Sequence, residues 1–230
     1  MIEKKIHYCW FGPKKKPILV NRCIDSWKRF CPGWEIMVWN EDNTDMNLPY
    51  IEQAYNNRNF ANVSNLVRLK AIASEGGIYL DTDIELLKNL EVFRQENCFF
   101  GFQDDILVNN AVMGATKRHP FIINLIDKFL TTFDGLERAD LSSPNFVTNE
   151  LGKLGLNPSV YAHDTKVVVA GITIFPERYF YPYAWDEDFH PSCIKNDTFA
   201  IHYWAKSWGG WRSRVADQLK RLLRAFQSKL

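Results

Sequence analysis

The 230-residue sequence has no excess of charge of one sign, because 28 lysines and arginines stand against 27 aspartates and glutamates, a formal net charge of +1. A dedicated nucleic-acid-binding protein carries a marked basic excess, so we expect no nucleic-acid partner. Long apolar runs are also lacking. The longest, Val167 to Ile172, has the length of a strand and falls far short of the roughly 18 residues that cross a bilayer.

Cysteine is scarce and irregularly spaced. The five cysteines form no Cys-x-x-Cys pair and have no histidine at zinc-site spacing, so neither a disulfide framework nor a structural zinc site is indicated. The first residues continue into His7-Tyr8-Cys9-Trp10 rather than an apolar stretch, which is not the pattern of a secretory signal. We therefore expect a reduced cytoplasmic protein with buried thiols.

Four common catalytic motifs are missing as well. The sequence contains no G-x-x-x-x-G-K-[ST] and no G-x-G-x-x-G after a predicted strand, which disfavours P-loop nucleotidases and dinucleotide oxidoreductases. It also contains no H-E-x-x-H and no G-x-S-x-G, which disfavours zinc proteases of that type and α/β-hydrolases.

The elements that are present alternate between short apolar strands and segments of helical periodicity, which is typical of an α/β fold. Strands are predicted at residues 6–11, 34–39, 78–80, 98–102, 111–114 and 199–204, and helices at 19–30, 61–74 and 121–133. No repeat or linker divides the chain, so residues 1–211 are predicted to form one domain. Ligands of open α/β sheets bind beyond the carboxyl ends of the strands.

Two carboxylates follow the predicted strand at 78–80, in the stretch Gly76-Gly77-Ile78-Tyr79-Leu80-Asp81-Thr82-Asp83. If the backbone stays extended, Asp81 and Asp83 project to the same side, where their charges repel unless they share a cation. Hard oxygen ligands favour Mg²⁺ or Mn²⁺. Such an ion neutralises the charge that develops when a nucleoside diphosphate leaves a sugar.

The Asp-x-Asp spacing alone carries limited weight, because about one such pair arises by chance in a chain of this composition. A second pair, Asp186 and Asp188, lies in a proline-bounded loop, where a solvated acidic turn is the simpler interpretation. The helix and strand that precede Asp81 favour the first pair as the functional one.

Several segments together resemble a known family. Ser64 to Leu69, followed by Gly76 to Asp83, resembles the signature of the DXD sugar transferases of glycosyltransferase family thirty-two, which includes initiating mannosyltransferases and bacterial capsule enzymes. Further matches follow in the family's order, namely Ile6 to Gly12, Asn109 to Gly114 with His119-Pro120-Phe121, and Ile201 to Trp208. The resemblance covers residues 6 to 208.

The resemblance implies a GT-A-like fold with a Rossmann-like mixed sheet, a nucleotide-sugar donor of the UDP-sugar type, an Mn²⁺ or Mg²⁺ ion and retention of the anomeric configuration. It implies a saccharide or lipid-linked saccharide acceptor in surface-polysaccharide or capsule synthesis. By position, the implied catalytic residues are Asp81, Asp83 and Arg68, and the implied metal ligands are Asp81, Asp83 and His202. The implied donor-binding residues are Trp10, Asn65, Tyr79, Asn109, Asn110, Ser207 and Trp208.

Each of these residues also has a structural interpretation. Trp10 could be a core aromatic residue, Arg68 a surface salt-bridge partner and His202 a core imidazole with satisfied hydrogen bonds. Asn109 and Asn110 could form a turn before a strand, because asparagine tolerates left-handed backbone.

Three functions compete at this point. The first is a metal-dependent glycosyltransferase. The second is a metal-dependent nucleotidyltransferase or phosphohydrolase, which needs more carboxylates to hold two metals, and the nearest ones, Glu85 and Asp104, are not at ligand spacing. The third is a non-catalytic or weakly active nucleotide-sugar-binding protein, motivated by Asn65. The family usually has aspartate there, whereas an amide both donates and accepts hydrogen bonds.

The carboxyl-terminal segment, residues 212–230, is predicted to form a basic amphipathic helix separate from the domain. It carries six basic residues and one acidic residue, and its apolar residues recur at helical spacing. A helix of this kind binds an anionic membrane surface, and the alternative is a last helix packed on the domain. We expect peripheral association with the inner face of the cell membrane.

Overall fold

The computed structural model describes residues 1–158 and 165–205 of the chain. Within these ranges, helices and strands alternate. The helices are α1 Ile18–Phe30, α2 Pro49–Asn56, α3 Phe60–Glu75, α4 Pro120–Thr132 and α5 Ala139–Lys153. The strands are β1 Lys5–Cys9, β2 Glu35–Trp39, β3 Gly77–Leu80, β4 Ile84–Leu86, β5 Cys98–Phe102, β6 Val108–Ala115, β7 Val167–Val169, β8 Ile172–Phe175 and β9 Ala200–His202.

Seven strands form one mixed sheet in the order β2-β1-β3-β6-β5-β8-β7. β1 is parallel to both β2 and β3, and β5 is parallel to β8, whereas β6 is antiparallel to β3 and β5. A separate antiparallel pair joins β4 to β9 and places Ile84 opposite His202. The predicted α/β class with a mixed sheet is therefore confirmed.

The two faces of the large sheet carry separate hydrophobic cores. Along β3, Ile78 and Leu80 belong to one core and Tyr79 to the other, as side-chain alternation along a strand requires. The first core includes α1 through Trp27, and the second includes residues of α2, α3, α4 and α5. Helices thus cover both faces, and polar side chains collect at the end of the sheet.

A tight connection between α3 and β3 sets the position of the acidic stretch. Gly76 and Gly77 have φ values of 66° and 100°, and a Cβ on Gly77 would lie 2.8 Å from the carbonyl oxygen of Lys5. Both positions therefore need glycine. The His7 Nε2–H donates to the carbonyl oxygen of Gly76 over 2.7 Å, while His7 Nδ1 accepts from Trp39 Nε1. The prediction that the glycine pair ends α3 with positive φ is confirmed.

The carboxyl-terminal expectations fall beyond the described residues. The basic helix predicted at 212–230, the domain boundary at residue 211 and two candidate site residues, Ser207 and Trp208, all follow residue 205. Among the helices of the described ranges, none combines the length and apolar character needed to cross a membrane.

Candidate functional site

A cavity of about 1170 Å³ opens where four strands end or begin. Its lining includes the residues after β1 and β3, the first residues of β6, the end of β9, and side chains of α3 and α5. Because β1 and β3 are parallel, their carboxyl ends meet at the same edge of the sheet, which is where ligands of α/β sheets bind. The candidate residues Trp10, Asn65, Arg68, Tyr79, Asp81, Asp83, Asn109, Asn110 and His202 all line it.

The two carboxylates lie on a turn rather than on extended backbone. β3 ends at Leu80, and the carbonyl oxygen of Asp81 accepts a hydrogen bond from the Ile84 amide over 3.0 Å. The expectation that strand alternation aligns the side chains is therefore wrong. The turn nevertheless brings both carboxylates to the floor of the cavity.

One carboxylate oxygen of each aspartate and one ring nitrogen of His202 lie within 4.8 Å of one another. Asp83 Oδ1 is 3.3 Å from His202 Nε2. The pairing of β4 with β9 produces this proximity, because it brings together residues that are more than a hundred positions apart in the chain. Two carboxylates and one imidazole form a donor set that fits a divalent ion.

The backbone after His202 wraps around Asp83. The Tyr203 amide donates to the carbonyl oxygen of Asp83 over 3.0 Å, and the Ala205 amide donates to Asp83 Oδ2 over 2.7 Å. Burial by itself raises the pKa of the Asp83 carboxyl, but the charge and hydrogen bond of His202 and the hydrogen bond from the Ala205 N–H together lower it by more than burial raises it. The net pKa lies below the ordinary value. Asp83 is therefore held in its ionised form.

Asp81 has a different environment. Burial raises the pKa of its carboxyl above the ordinary value, the nearby Asp83 charge adds to this, and the Arg68 guanidinium opposes both. Arg68 Nη2 lies 3.1 Å from Asp81 Oδ1, and the Tyr79 hydroxyl donates to the same oxygen over 3.0 Å. Asp81 is thus oriented by two neighbours and keeps 26% of its side chain exposed to the cavity.

Arg68 is a buried residue, not the surface salt-bridge partner of the simpler interpretation. Its side chain is 7% exposed, and its guanidinium lies over the Tyr79 ring, 4.8 Å from the centroid. Its Nη1 donates to the backbone carbonyl and the side-chain oxygen of Asn110 over 3.2 and 3.3 Å. Through Arg68, α3 therefore places a positive charge next to Asp81 at the floor of the cavity.

The asparagines are committed to hydrogen bonds within the chain. Asn109 and Asn110 lie inside β6 rather than in a turn. Asn109 Nδ2 donates to Gln103 Oε1 over 2.7 Å, and Asn110 Nδ2 donates to Ser143 Oγ over 2.8 Å. Asn65 Nδ2 donates to the carbonyl oxygen of Ala139 over 3.4 Å, a bond that aspartate could not make. The three side-chain amides therefore hydrogen-bond neighbouring segments of the cavity lining to one another.

The predicted residue Trp10 is half-buried at the cavity, and its Nε1 donates to the carbonyl oxygen of Lys14 over 2.9 Å. Three lining residues were not predicted, namely Ser143, Trp185 and Trp204. Of these three, Trp204 alone had a sequence signal, since it lies two residues after His202 in the same matched segment. Ser143 and Trp185 reach the cavity through tertiary packing.

Two sequence-family models match consecutive parts of the chain. The family described as "Glycosyltransferase sugar-binding region containing DXD motif" matches residues 17–100. The family described as "Alpha 1,4-glycosyltransferase conserved region" matches residues 114–225. The cavity floor is thus assembled from both regions, with the aspartates in the first and His202 in the second.

Two similar proteins are galactosyltransferases by name. The lactosylceramide 4-alpha-galactosyltransferase of Rattus norvegicus is 29% identical over 153 residues, covering 63% of this chain and 41% of that protein. The protein of the same name from Homo sapiens is 28% identical over 165 residues, covering 68% of this chain and 45% of that protein. The chain spans less than half the length of these two relatives.

The solved structure of the PaToxG glycosyltransferase superposes with a TM-score of 0.53 at 19% identity, covering 66% of this chain and 69% of that one. At this identity the likeness concerns the fold, which is GT-A-like.

Proposed function

We propose that this chain is a DXD-containing glycosyltransferase, a retaining, metal-dependent enzyme that moves a sugar from a nucleotide-sugar donor to a hydroxyl group of a saccharide acceptor. The observation that carries the proposal is the cluster of Asp81, Asp83 and His202 on the floor of a cavity large enough for both substrates. A bound divalent ion would neutralise the negative charge that builds up on the departing nucleoside diphosphate.

The donor set supports Mn²⁺ over Mg²⁺. Mg²⁺ is a harder ion that prefers oxygen ligands in near-ideal octahedral geometry, whereas one imidazole among carboxylates suits a softer ion. Asp83 directs Oδ1 toward His202, while the Ala205 amide fixes its second oxygen. Asp81 contributes a carboxylate whose charge Arg68 already balances in part.

The donor lies across the carboxyl ends of β1 and β3 in this proposal. Trp10, at the end of β1, offers its ring to the base, because nucleotide bases stack on aromatic side chains. Arg68 and Tyr79 keep Asp81 in place next to the diphosphate. Asn65, Asn109 and Asn110 form the wall near the donor sugar, while Ser207 and Trp208 complete the donor site on the basis of sequence alone. We propose a UDP-sugar as the donor.

Two relatives suggest the sugar and the acceptor. Their names describe transfer of galactose to a glycolipid with an alpha linkage. UDP-galactose is itself alpha-linked, so an alpha product corresponds to retention. For this chain we propose UDP-galactose as the first donor to test and a saccharide or lipid-linked saccharide of surface-polysaccharide or capsule synthesis as the acceptor.

A donor panel tests the proposal. Purified protein with Mn²⁺ is incubated with individual nucleotide sugars, and released nucleoside diphosphate is measured with and without saccharide acceptors. We expect release with one UDP-sugar, stimulation by an acceptor and an alpha-linked product. Tight binding of a nucleotide sugar without release would instead favour a binding protein, the function that Asn65 motivates. Release of pyrophosphate from a nucleoside triphosphate would indicate a nucleotidyltransferase.

The role of His202 is tested by metal titration. Because two carboxylates remain in His202→Ala, more metal should compensate for the lost ligand, and we expect the Mn²⁺ concentration for half-maximal rate to rise about tenfold. Tyr181→Phe is a suitable control, since the Tyr181 ring contacts His202 but is not part of the cluster. An unchanged Mn²⁺ titration together with a lower Tm would return His202 to a structural role.

Membrane association is proposed from the sequence of residues 212–230. Each lysine or arginine near an anionic surface contributes about 1 kcal/mol of attraction. We expect full-length protein to co-sediment with anionic liposomes at low salt and a truncation after Trp211 to remain in solution. Equal binding by both forms would contradict a peripheral location at the inner face of the membrane through this segment.

A further inference from the structure

Two indole rings, those of Trp185 and Trp204, line the cavity, and together we call them the indole wall. Neither ring belongs to the proposed donor site. Both are half-buried and therefore keep part of their surface available in the cavity.

Trp204 has an unusual backbone conformation. Its φ is 51°, a left-handed value that is a genuine outlier for a bulky residue. Its ring packs on the ring of His202 with centroids 3.9 Å apart, and its Nε1 donates to the carbonyl oxygen of Tyr183 over 3.1 Å. Strain of this kind persists where the surrounding structure enforces it, and it concentrates at ligand sites.

The same hydrogen bond connects Trp204 to the loop that carries Trp185. Within this loop, the Ala184 amide donates to Glu187 Oε2 and the Glu187 amide donates to the Ala184 carbonyl, which closes a turn around Trp185. Outside the cavity lining, the Phe189 ring contacts both Tyr183 and Tyr203. Aromatic packing by Phe189 thus stabilises the loop that carries Trp185, and a hydrogen bond joins this loop to Trp204.

We propose that the indole wall is an acceptor subsite that binds a neutral hexopyranoside by stacking against its apolar face, an inference that rests on the proposed function. A pyranose ring exposes a patch of C–H groups that packs on an aromatic face, as apolar groups do in water. The wall adjoins His202, so a sugar bound there would present a hydroxyl group next to the donor sugar.

The two indole rings favour a neutral acceptor over an anionic one. An ionised carboxylate or phosphate that packs against an aromatic ring loses part of its hydration, which costs free energy. The acidic residues that follow Trp185 in the chain, Asp186 to Asp188, do not line the cavity.

The test compares Trp185→Ala and Trp204→Gly with the wild-type chain. Glycine adopts a left-handed φ freely, so Trp204→Gly removes the ring without adding backbone strain. The control is Phe189→Ala, which loosens the same loop without changing the cavity lining. The acceptors are methyl β-lactoside, methyl β-glucoside and methyl β-glucuronide, the last of which differs from the glucoside only by a carboxylate at C6.

We expect the KM for the better neutral glycoside to rise at least tenfold in both tryptophan variants. Donor KM and donor hydrolysis in the absence of acceptor should stay within twofold of wild type in Trp185→Ala, whereas Trp204→Gly also removes the ring that packs on His202 and is compared through acceptor KM alone. Trp185→Phe should keep most of the affinity and Phe189→Ala all of it. The glucuronide should have a KM at least tenfold higher than the glucoside.

Three results would overturn the proposal. A rise in the donor KM of Trp185→Ala would place that indole against the nucleotide base. An equal effect of Phe189→Ala on acceptor KM would give the indoles a structural role only. A preference for the glucuronide would reverse the acceptor class. Saturation-transfer NMR with methyl β-lactoside needs no turnover and so separates this proposal from the proposed function. If magnetic saturation is not transferred from the wild-type protein to the lactoside, the subsite is wrong even if no donor is cleaved. The same holds if saturation transfer is equally strong in Trp185→Ala.

Discussion

Asp83→Asn is expected to lower kcat for sugar transfer by about 10²- to 10³-fold, the scale on which loss of one group that stabilises transition-state charge acts. The exchange preserves the size of the side chain but removes its charge. Asp83 is the carboxylate that stays ionised, because His202 and the Ala205 amide lower its pKa. Kinetics at saturating Mn²⁺, with Mn²⁺ affinity measured by calorimetry, provide the measurement.

The second Asp-x-Asp pair provides a matched control. Asp188→Asn makes the same chemical change in a loop that carries no ligand of the cluster, so its rate should stay within about twofold of wild type. Near-normal turnover of Asp83→Asn, or a rate of the wild-type enzyme that EDTA leaves unchanged, would contradict the metal role of this residue.

The segment from α3 to β3 was predictable because its signals are local. The helical spacing of apolar residues predicted 61–74, and the helix runs from Phe60 to Glu75. The glycine pair predicted a connection with positive φ, which Gly76 and Gly77 adopt. Here propensity, periodicity and backbone conformation all favour the same structure.

Other elements could not be predicted in the same way. α5 contains Pro144 and has little amphipathic character, so its sequence resembles a loop. The apolar run Val167 to Ile172 looks like one strand, but Ala170 and Gly171 adopt positive φ and divide it into the hairpin β7–β8. An apolar run carries no periodicity that would reveal such a turn.

In the candidate site too, residues with local sequence signals were predictable and residues that depend on tertiary contacts were not. The acidic pair was found from its position after β3, although the reason given for its alignment was wrong, since the residues occupy a turn. The proximity of His202 depends on the pairing of β4 with β9, and only the resemblance to a family linked it to the aspartates. The resemblance implied Arg68 as a catalytic residue, but the residues alone favoured a surface salt bridge, because spacing on a helix does not show that other elements bury a side chain.

Arg68→Met is expected to lower the free energy of unfolding by about 3–5 kcal/mol, because removing one partner of a buried ion pair leaves the other charge uncompensated. For a chain of this length the loss corresponds to a fall in Tm of about 10 °C. Asp81 would lose its nearest positive charge, and the carbonyl oxygen of Asn110 would lose the donor that Arg68 provides. Thermal unfolding followed by circular dichroism provides the measurement.

Three comparisons separate charge from packing. Lys28→Met removes an exposed ion pair with Asp25 and should change Tm little. Arg68→Met/Asp81→Asn should be more stable than Arg68→Met alone, because the second change removes the uncompensated charge. Saturating Mn²⁺ should raise the Tm of Arg68→Met more than that of wild type, since the ion restores positive charge beside Asp81. If the double variant and Mn²⁺ both fail to recover stability, Arg68 acts through packing and hydrogen bonding alone, and the electrostatic account of the cavity floor is wrong.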